Sequence, residues 1–208
     1  MKETTRCPRR APEPGERKLD AERSRRLLLD AALDEFSAKG YAGARVQDIA
    51  DRAGVNKQLI NYYFGGKEGL YGELIRLWQE KEAEFKATEL ALDELLAHYL
   101  RPVMEDPRAS RLQAWRTLTG DIADLPDPCT EDLSDLERRQ ETGELAPDLD
   151  PATVMLVLRA AVAAPAVMGP TVRRIFGLDP DSPEFKERYC EQLRRLVRRL
   201  AAAPEPEP

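Results

Sequence analysis

Apolar residues recur along this chain at the spacing of α-helices, and the first helix is the clearest case. Leu28, Ala32 and Phe36 fall at every fourth position within residues 20–39. This spacing places the three side chains on one face of a helix. Gly40 follows directly, and glycine adopts the left-handed conformation that ends many helices at little cost. The pattern therefore predicts a first helix over residues 20–39 that ends at Gly40.

The next residues predict two short helices separated by a tight turn. Ile49 lies on the inner face of a second helix over about residues 45–52, and Gly54 closes that helix. Asn56 follows two residues later and is a favourable N-cap for a third helix. Two glycines at 65–66 end this helix, and a fourth helix begins near residue 67.

The rest of the chain continues the helical pattern. Further helices are predicted over about residues 89–104, 107–119, 131–142, 151–167 and 183–200. The pairs Asp150-Pro151 and Ser182-Pro183 each place a capping residue before a proline at the first helical position. Pro165 and Pro170 must kink or end the long apolar helix. A short helical turn is expected after this break, over residues 171–176. Strand-like alternation is nearly absent, so the predicted fold is all-α with about nine helices.

The segment DIADRAGVNKQLINYYFGGKEGL, residues 48–70, has the form of a helix-turn-helix. One face of its second helix is apolar and carries Ile60, Tyr63 and Phe64. The opposite face carries Lys57, Gln58, Asn61 and Tyr62. Amide side chains can pair with adenine and lysine can reach guanine or a phosphate, so this face suits a DNA major groove. A short helix with a polar face is also common on protein surfaces, and the spacing alone leaves that alternative open.

The charge distribution favours DNA binding by the N-terminal third. Residues 1–67 carry 14 basic and 10 acidic side chains, although the whole chain has a net charge of −6. Such asymmetry is typical of proteins that meet a polyanion with one region. The predicted organisation is a disordered basic arm (1–18), a helix-turn-helix domain (19–66), a larger helical domain (67–202) and a disordered tail (203–208). Because the arm is rich in proline and glycine, we expect it to add DNA affinity without specificity.

Residues 27–71, LLLDAALDEFSAKGYAGARVQDIADRAGVNKQLINYYFGGKEGLY, resemble the DNA-binding domain of the TetR-family regulators. This resemblance implies a three-helix N-terminal DNA-binding domain followed by a larger helical domain for ligand binding and dimerisation. It also implies a homodimer in which the last two long helices form an intersubunit four-helix bundle. The remainder of the chain matches that family only in its general helical pattern.

The resemblance assigns DNA contacts to two helices and to the start of a third. The residues are Arg45 and Gln47 on the second helix, Lys57, Gln58, Leu59, Asn61, Tyr62 and Tyr63 on the third, and Lys67, which should meet a phosphate. Ala44 departs from the family pattern, because many members have a threonine there that caps the second helix. Asn61 stands where tyrosine is common, which implies a different base preference.

Two further sets of residues are candidates for the larger domain. The candidate ligand pocket comprises His98, Trp115, Arg116, Met155 and Arg159. The candidate dimer interface comprises Leu158, Val162, Leu193, Leu196 and Leu200. Arg159 lies within an apolar helix, where an unpaired buried cation is costly. It could pair with Asp121, bind an acidic ligand or extend to the surface, and the sequence does not choose among these.

The remaining composition argues against catalysis and against a resident metal or cofactor. Three widely spaced cysteines and a single histidine offer no metal-ligand spacing. No nucleophile elbow or glycine-rich phosphate loop is present. The longest uncharged stretch, residues 160–172, is shorter than the ~20 residues that span a bilayer. No signal-peptide pattern is visible either, so a cytoplasmic location is expected.

The leading hypothesis is a transcription regulator, most simply a repressor, that responds to a small-molecule effector. It would bind a palindromic double-stranded DNA operator as a homodimer and would not be an enzyme. The alternative is a helical protein-interaction module whose helix-turn-helix does not bind DNA.

Overall fold

The computed structural model describes residues 14–84, 90–120 and 132–201, and within these residues the regular structure is entirely helical. The ten helices are α1 (Pro14–Gly43), α2 (Val46–Ala53), α3 (Gln58–Phe64), α4 (Lys67–Glu84), α5 (Leu92–Glu105), α6 (Arg108–Thr119), α7 (Ser134–Glu141), α8 (Pro151–Val167), α9 (Gly169–Phe176) and α10 (Pro183–Arg198). The predicted fold class is confirmed.

Helix α1 departs from the prediction at both ends. It begins at Pro14, so residues 14–18 are helical and do not belong to the arm in which the sequence placed them. Proline is tolerated in a first helical turn because the missing N–H would have no helical partner there. Gly40 interrupts regular helical geometry with φ 68° and ψ 174°, although helical turns continue to Gly43. Residues 1–13 and the predicted tail at 203–208 lie outside the described residues.

The N-terminal core contains the side chains that the helical spacing predicted. Leu28, Phe36, Ile49 and Ile60 are all fully buried in one apolar cluster. Leu112 joins this cluster from α6, so the DNA-binding domain is packed against a helix of the larger domain. Burying such side chains contributes about 1.5–3 kcal/mol each.

The predicted caps form at two of the later helices. Asp150 accepts a hydrogen bond from the Thr153 backbone N–H at 2.8 Å, and Ser182 accepts one from Phe185 N–H at 3.2 Å. Helix α2, in contrast, begins without a side-chain cap hydrogen bond. Its N-cap residue is Arg45, whose side chain has no oxygen that could accept one, and Ala44, where the resemblance placed the cap, precedes this residue.

The apolar stretch around Pro165 breaks as the sequence predicted. Helix α8 ends at Val167, and α9 departs from its direction by 91°. Helix α9 is a complete helix of eight residues where the sequence predicted a short turn, which accounts for ten helices in place of about nine. No single helix in the described part of the chain is long and apolar enough to cross a membrane, although the bent α8–α9 pair passes on length and composition alone.

A second apolar cluster forms the core of the C-terminal domain, to which α5, α8 and α10 contribute. Two buried charged residues beside this core, Arg139 and Asp93, each form ion pairs. Arg139 on α7 is 1% exposed and donates to Glu144 at 2.5 Å and to the Leu90 carbonyl oxygen at 2.8 Å. Asp93 on α5 accepts from Arg194 and Arg198 on α10, each at 2.9 Å. These pairs satisfy charges that would otherwise be costly to bury.

Candidate nucleic-acid interface

The turn between α2 and α3 is tight and held by local hydrogen bonds. Gly54 adopts φ 66° and ψ 29°, and the Val55 N–H donates to the Ala50 carbonyl at 3.1 Å. Asn56 Oδ1 accepts from the Gln58 backbone N–H at 2.8 Å, so Asn56 caps the first turn of α3 as predicted. The turn therefore fixes the direction in which α3 leaves α2.

The underside of α3 anchors it to the N-terminal core. Ile60 is fully buried, and Tyr63 and Phe64 are half-buried against the same cluster. Leu59, which the sequence offered as a contact to a thymine methyl group, is also half-buried against this core. Leu59 and Tyr63 thus offer less surface to a partner than the outer residues of α3.

The outer face of α3 is open to solvent. Tyr62 is 80% exposed. The other exposed candidates on this face are Lys57, Gln58 and Asn61. The structure brings these four side chains together on one surface, and no described element covers them.

Lys67 begins α4 directly after the two glycines that end α3. Its ammonium nitrogen lies 4.5 Å from the centroid of the Tyr41 ring, at a distance suited to a cation–π contact. Tyr41 packs edge-on against the buried Tyr71, with ring centroids 5.0 Å apart. The ammonium group is therefore held on an aromatic platform beside the recognition helix.

Helix α2 contributes two exposed candidates at its start, Arg45 and Gln47. Arg45 is the N-cap residue and has extended backbone geometry, φ −115° and ψ 133°. The Gln47 side-chain nitrogen donates to the Asp51 carboxylate at 2.7 Å, across one turn of α2.

Ion pairs hold α2 against α1 at both of its ends. Lys39 on α1 lies 3.2 Å from Asp48 in the first turn of α2 and 2.6 Å from Glu35. Arg52, in the last turn, lies 3.0 Å from Glu35 and 3.4 Å from Asp34. The hydrogen bond from Lys39 lowers the pKa of Glu35, and Arg52 lowers it further, against the opposite effect of burial. Glu35 thus stays ionised as the centre of this clamp.

Helix α6 connects the DNA-binding domain to the C-terminal domain. Arg108 donates to Asp30 at 2.9 Å and to Asp34 at 2.7 Å, both on α1. About one turn further along α6, Arg111 donates to the Ala166 carbonyl near the end of α8, at 2.9 Å. Trp115 donates its indole N–H to the Ser37 carbonyl at 3.2 Å. Helix α6 is thereby bonded to α1 on one side and to α8 on the other.

The five candidate pocket residues lie on α5, α6 and α8. Trp115 lies at the junction between α1 and α6. Arg116 donates to Gln113 on its own helix at 3.3 Å. His98 is half-buried beside Tyr99 on α5, and Met155 packs against the C-terminal core. Arg159 is exposed on α8, and Asp121, one of its suggested partners, lies outside the described residues. The assignment of these five residues to a ligand pocket stays a prediction.

The five candidate interface residues also separate into two groups. Leu193 is 8% exposed and packs in the core of its own subunit. Leu158, Val162 and Leu200 are half-buried against the same core. Leu196, in contrast, is 61% exposed. The sequence missed two exposed apolar residues of α8, Leu156 at 70% and Val157 at 58%. Because α8 is apolar on nearly all sides, its sequence does not show which of its faces the rest of the subunit covers.

Comparison with known proteins identifies both domains. Residues 28–74 match the model of the bacterial regulatory proteins of the tetR family. Residues 92–199 match the model of a tetracyclin repressor-like C-terminal domain. Together the two matches cover the helix-turn-helix and most of the C-terminal domain.

Curated relatives match over almost the whole chain. The HTH-type transcriptional regulator RutR of Escherichia coli is 30% identical over 198 residues, which cover 88% of this chain and 92% of RutR. The HTH-type transcriptional repressor SCO4008 of Streptomyces coelicolor is 29% identical over 201 residues, covering 86% and 98% of the two chains.

Solved structures share the fold. A putative transcriptional regulator from Streptomyces coelicolor, SCO4942, superimposes with a TM-score of 0.65 at 26% identity, covering 83% of this chain and 97% of that one. A gamma-butyrolactone receptor superimposes with a TM-score of 0.60 at 20% identity, covering 88% and 100%, and at this identity it supports the fold alone. The chain belongs to the TetR family of helix-turn-helix, DNA-binding transcriptional regulators.

Proposed function

We propose that this protein is a ligand-responsive repressor that binds a palindromic operator as a homodimer. The observation that carries the proposal is the exposed outer face of α3. This face carries Lys57, Gln58, Asn61 and Tyr62, while the buried Ile60 anchors the opposite side of the helix. A helix held this way can enter a major groove without losing its position on the domain.

The exposed side chains suit distinct parts of a DNA duplex. Gln58 and Asn61 can each pair with the N6 and N7 atoms of adenine, and Lys57 can reach O6 and N7 of guanine. Arg45 and Lys67, at the starts of α2 and α4, are placed to meet phosphates, which position a protein without specifying sequence. Tyr62, Leu59 and Tyr63 would add contacts at the edges of this surface.

The exposed apolar side chains of the C-terminal domain support a homodimer. Leu156 and Val157 on α8 and Leu196 on α10 are each more than half exposed. Apolar side chains of this size are stabilised when a partner covers them. A second copy of the chain would present the same residues under two-fold symmetry. Such a dimer would place its recognition helices ~34 Å apart or more and would require a palindromic site.

The contacts of α6 offer a route for a ligand response. An effector bound against α5 and α8, where His98 and Met155 are half-buried, would alter α8. The bond from Arg111 to Ala166 would pass that change to α6, and Arg108 and Trp115 would pass it to α1. An effector can shift DNA binding in this way only if its affinity differs between the conformation that binds DNA and the conformation that does not.

Selection of bound DNA from a random duplex pool tests the function directly. The wild-type protein should enrich a palindromic sequence, and a variant with Gln58 and Asn61 both replaced by alanine should not enrich the same one. Retention on heparin that falls with salt would support DNA binding independently. A wild-type pool without enrichment would favour the alternative, a protein-interaction module that does not bind DNA.

A further inference from the structure

One hydrogen bond on the exposed surface of α2 fixes a candidate DNA contact. Gln47 Nε2 lies 2.7 Å from Asp51 Oδ1, four residues further along the helix. Gln47 follows the N-cap residue of α2 by two positions and is exposed. A free glutamine side chain at such a position would have many rotamers, and ordering it in one of them costs conformational entropy.

The chemistry of the pair determines which end of the amide is bound. An ionised carboxylate only accepts hydrogen bonds, so Asp51 must be met by the amide nitrogen of Gln47. The amide oxygen and the second N–H are then left for a partner. These two groups are the ones that glutamine uses on adenine, where the oxygen accepts from N6 and the nitrogen donates to N7. Binding to Asp51 and pairing with adenine are therefore compatible.

The charge of Asp51 needs this explanation, because the other carboxylate of α2, Asp48, and the neighbouring Glu35 of α1 are each matched by a cation. Asp48 faces Lys39 at 3.2 Å, and Glu35 faces both Lys39 and Arg52. Among the described residues, the side chain of Asp51 contacts the neutral amide of Gln47. An unmatched negative charge on a surface that approaches DNA opposes binding. A carboxylate at position 51 therefore lowers the affinity for DNA, and its contribution is to orient the Gln47 side chain.

We propose that Asp51 is a specificity-determining residue that holds the Gln47 amide in position to recognise adenine in the major groove. This inference rests on the proposed function, because it requires that α2 approaches DNA. Asp51 acts through Gln47 and does not itself touch a base. Its removal therefore has two separable effects: non-specific affinity rises because a negative charge is lost, and discrimination at one base pair falls because the amide is no longer held.

Two substitutions separate these effects. Asp51→Asn removes the charge and keeps an oxygen that can accept from Gln47, whereas Asp51→Ala removes both. Wild type, Gln47→Ala, Asp51→Ala and Asp51→Asn would each be taken through selection from a random duplex pool. The base pair read by Gln47 is the one whose adenine preference disappears in Gln47→Ala. Gln47 and Asp51 are both exposed, and circular dichroism would confirm that each variant is folded.

The expected result is that Asp51→Ala loses about fivefold or more of the adenine preference at that base pair, approaching the loss in Gln47→Ala. Asp51→Asn should keep most of that preference, while both Asp51 variants bind all duplexes more tightly than wild type at low salt. An unchanged preference in Asp51→Ala, an equal loss in Asp51→Asn, or no altered base pair in Gln47→Ala would each overturn the inference. A wild-type pool without any enriched sequence would overturn the proposed function as well, and so is distinguishable from these outcomes.

Discussion

The indole ring of Trp115 lies directly against Gly40, at the point where α1 loses regular helical geometry. A Cβ atom added to Gly40 would come within 3.0 Å of Trp115 Cε3. The indole N–H also donates to the Ser37 carbonyl on the last regular turn of α1. The end of the first helix and the last turns of α6 are thus matched in shape, and this match joins the DNA-binding domain to the C-terminal domain.

Gly40→Ala should destabilise the protein more than a glycine replacement that lacks this contact. The backbone at Gly40, with φ 68° and ψ 174°, is strained for any residue with a Cβ, and the added atom would also displace the indole ring. We expect a loss of about 2–4 kcal/mol in urea unfolding, the sum of strain and overpacking.

Gly120→Ala is the matched control for this experiment. Gly120 also has a positive φ, 60°, but an added Cβ would have no neighbour within 4 Å among the residues that the structure describes. It should cost only about 1–2 kcal/mol, the penalty of the left-handed backbone. Equal losses in the two variants would show that the contact with Trp115 contributes nothing.

Asp34 should couple more strongly to α6 than to α2. Its carboxylate lies 2.7 Å from Arg108 on α6 and 3.4 Å from Arg52 on α2, and the Arg108 side chain is the less exposed of the two, at 29% against 51%. Double-mutant cycles built on Asp34→Asn with Arg108→Met or Arg52→Met would measure the two pairs. The Arg108 cycle should give about 0.5–1 kcal/mol, and the Arg52 cycle less than about 0.5 kcal/mol. The reverse order would mean that α6 is not held through Asp34.

The helix-turn-helix could be predicted closely because its determinants are local. Gly54, Asn56 and Ile60 lie within seven residues, and each specifies a turn, a cap or a buried face by its own chemistry. Trp115 could not be placed in the same way, because its partner Ser37 is 78 residues distant in the chain. The sequence offered Trp115 as a candidate pocket residue, and nothing near it in the chain indicates that α1 ends against it.

The proposed dimer face illustrates a second limit. Helical spacing groups Leu193, Leu196 and Leu200 on one stripe, but it does not show how wide a strip the rest of the subunit covers. The structure buries Leu193 and leaves Leu196 exposed. Arg139 is a similar case, because two adjacent arginines in a polar segment give no sign that Glu144 and the Leu90 carbonyl will enclose the second of them.

Glu35→Gln should make the protein less stable at neutral pH and less sensitive to acid. Lys39 and Arg52 hold the folded-state pKa of Glu35 below its unfolded value of about 4.3. The native state therefore binds fewer protons, so this stabilisation is fully present above pH ~4.3 and is lost as the pH falls through the folded pKa. The variant should lose about 1–3 kcal/mol at pH 7.

Urea unfolding of wild type and Glu35→Gln between pH 3 and 7 would measure this effect. The difference between the two proteins should be constant above about pH 5 and should shrink below it. Glu73, whose pKa is lowered mainly by Arg76, is present in both proteins and cancels in the difference. A difference that stayed constant down to pH 3 would contradict the assignment of the clamp to the ionised form of Glu35.

Lys67→Ala should weaken DNA binding without changing the preferred sequence. The Lys67 ammonium, held over the Tyr41 ring, is placed for a phosphate, and loss of one phosphate contact lowers the salt slope of log affinity by about 0.9. Gln58→Ala should instead alter which bases are preferred, by about 1–3 kcal/mol of discrimination. Fluorescence anisotropy across several salt concentrations would give both quantities. A changed base preference in Lys67→Ala with unaltered affinity would reverse the roles assigned to these residues.

Leu196→Glu should produce a folded monomer. Leu196 is 61% exposed within the subunit, so a carboxylate there remains hydrated and does not disturb the C-terminal core. In the proposed dimer the same position would be covered by a second copy, and two-fold symmetry would bring a buried charge from each subunit into one interface.

Leu193→Glu is the contrasting control, because Leu193 is 8% exposed and its replacement should unfold the domain. Light scattering would report the mass and circular dichroism the helical content of each variant. A folded Leu196→Glu protein that remains dimeric would exclude this part of α10 from the interface. A monomer should in addition lose most of its operator affinity, because each half-site alone is contacted by a single recognition helix.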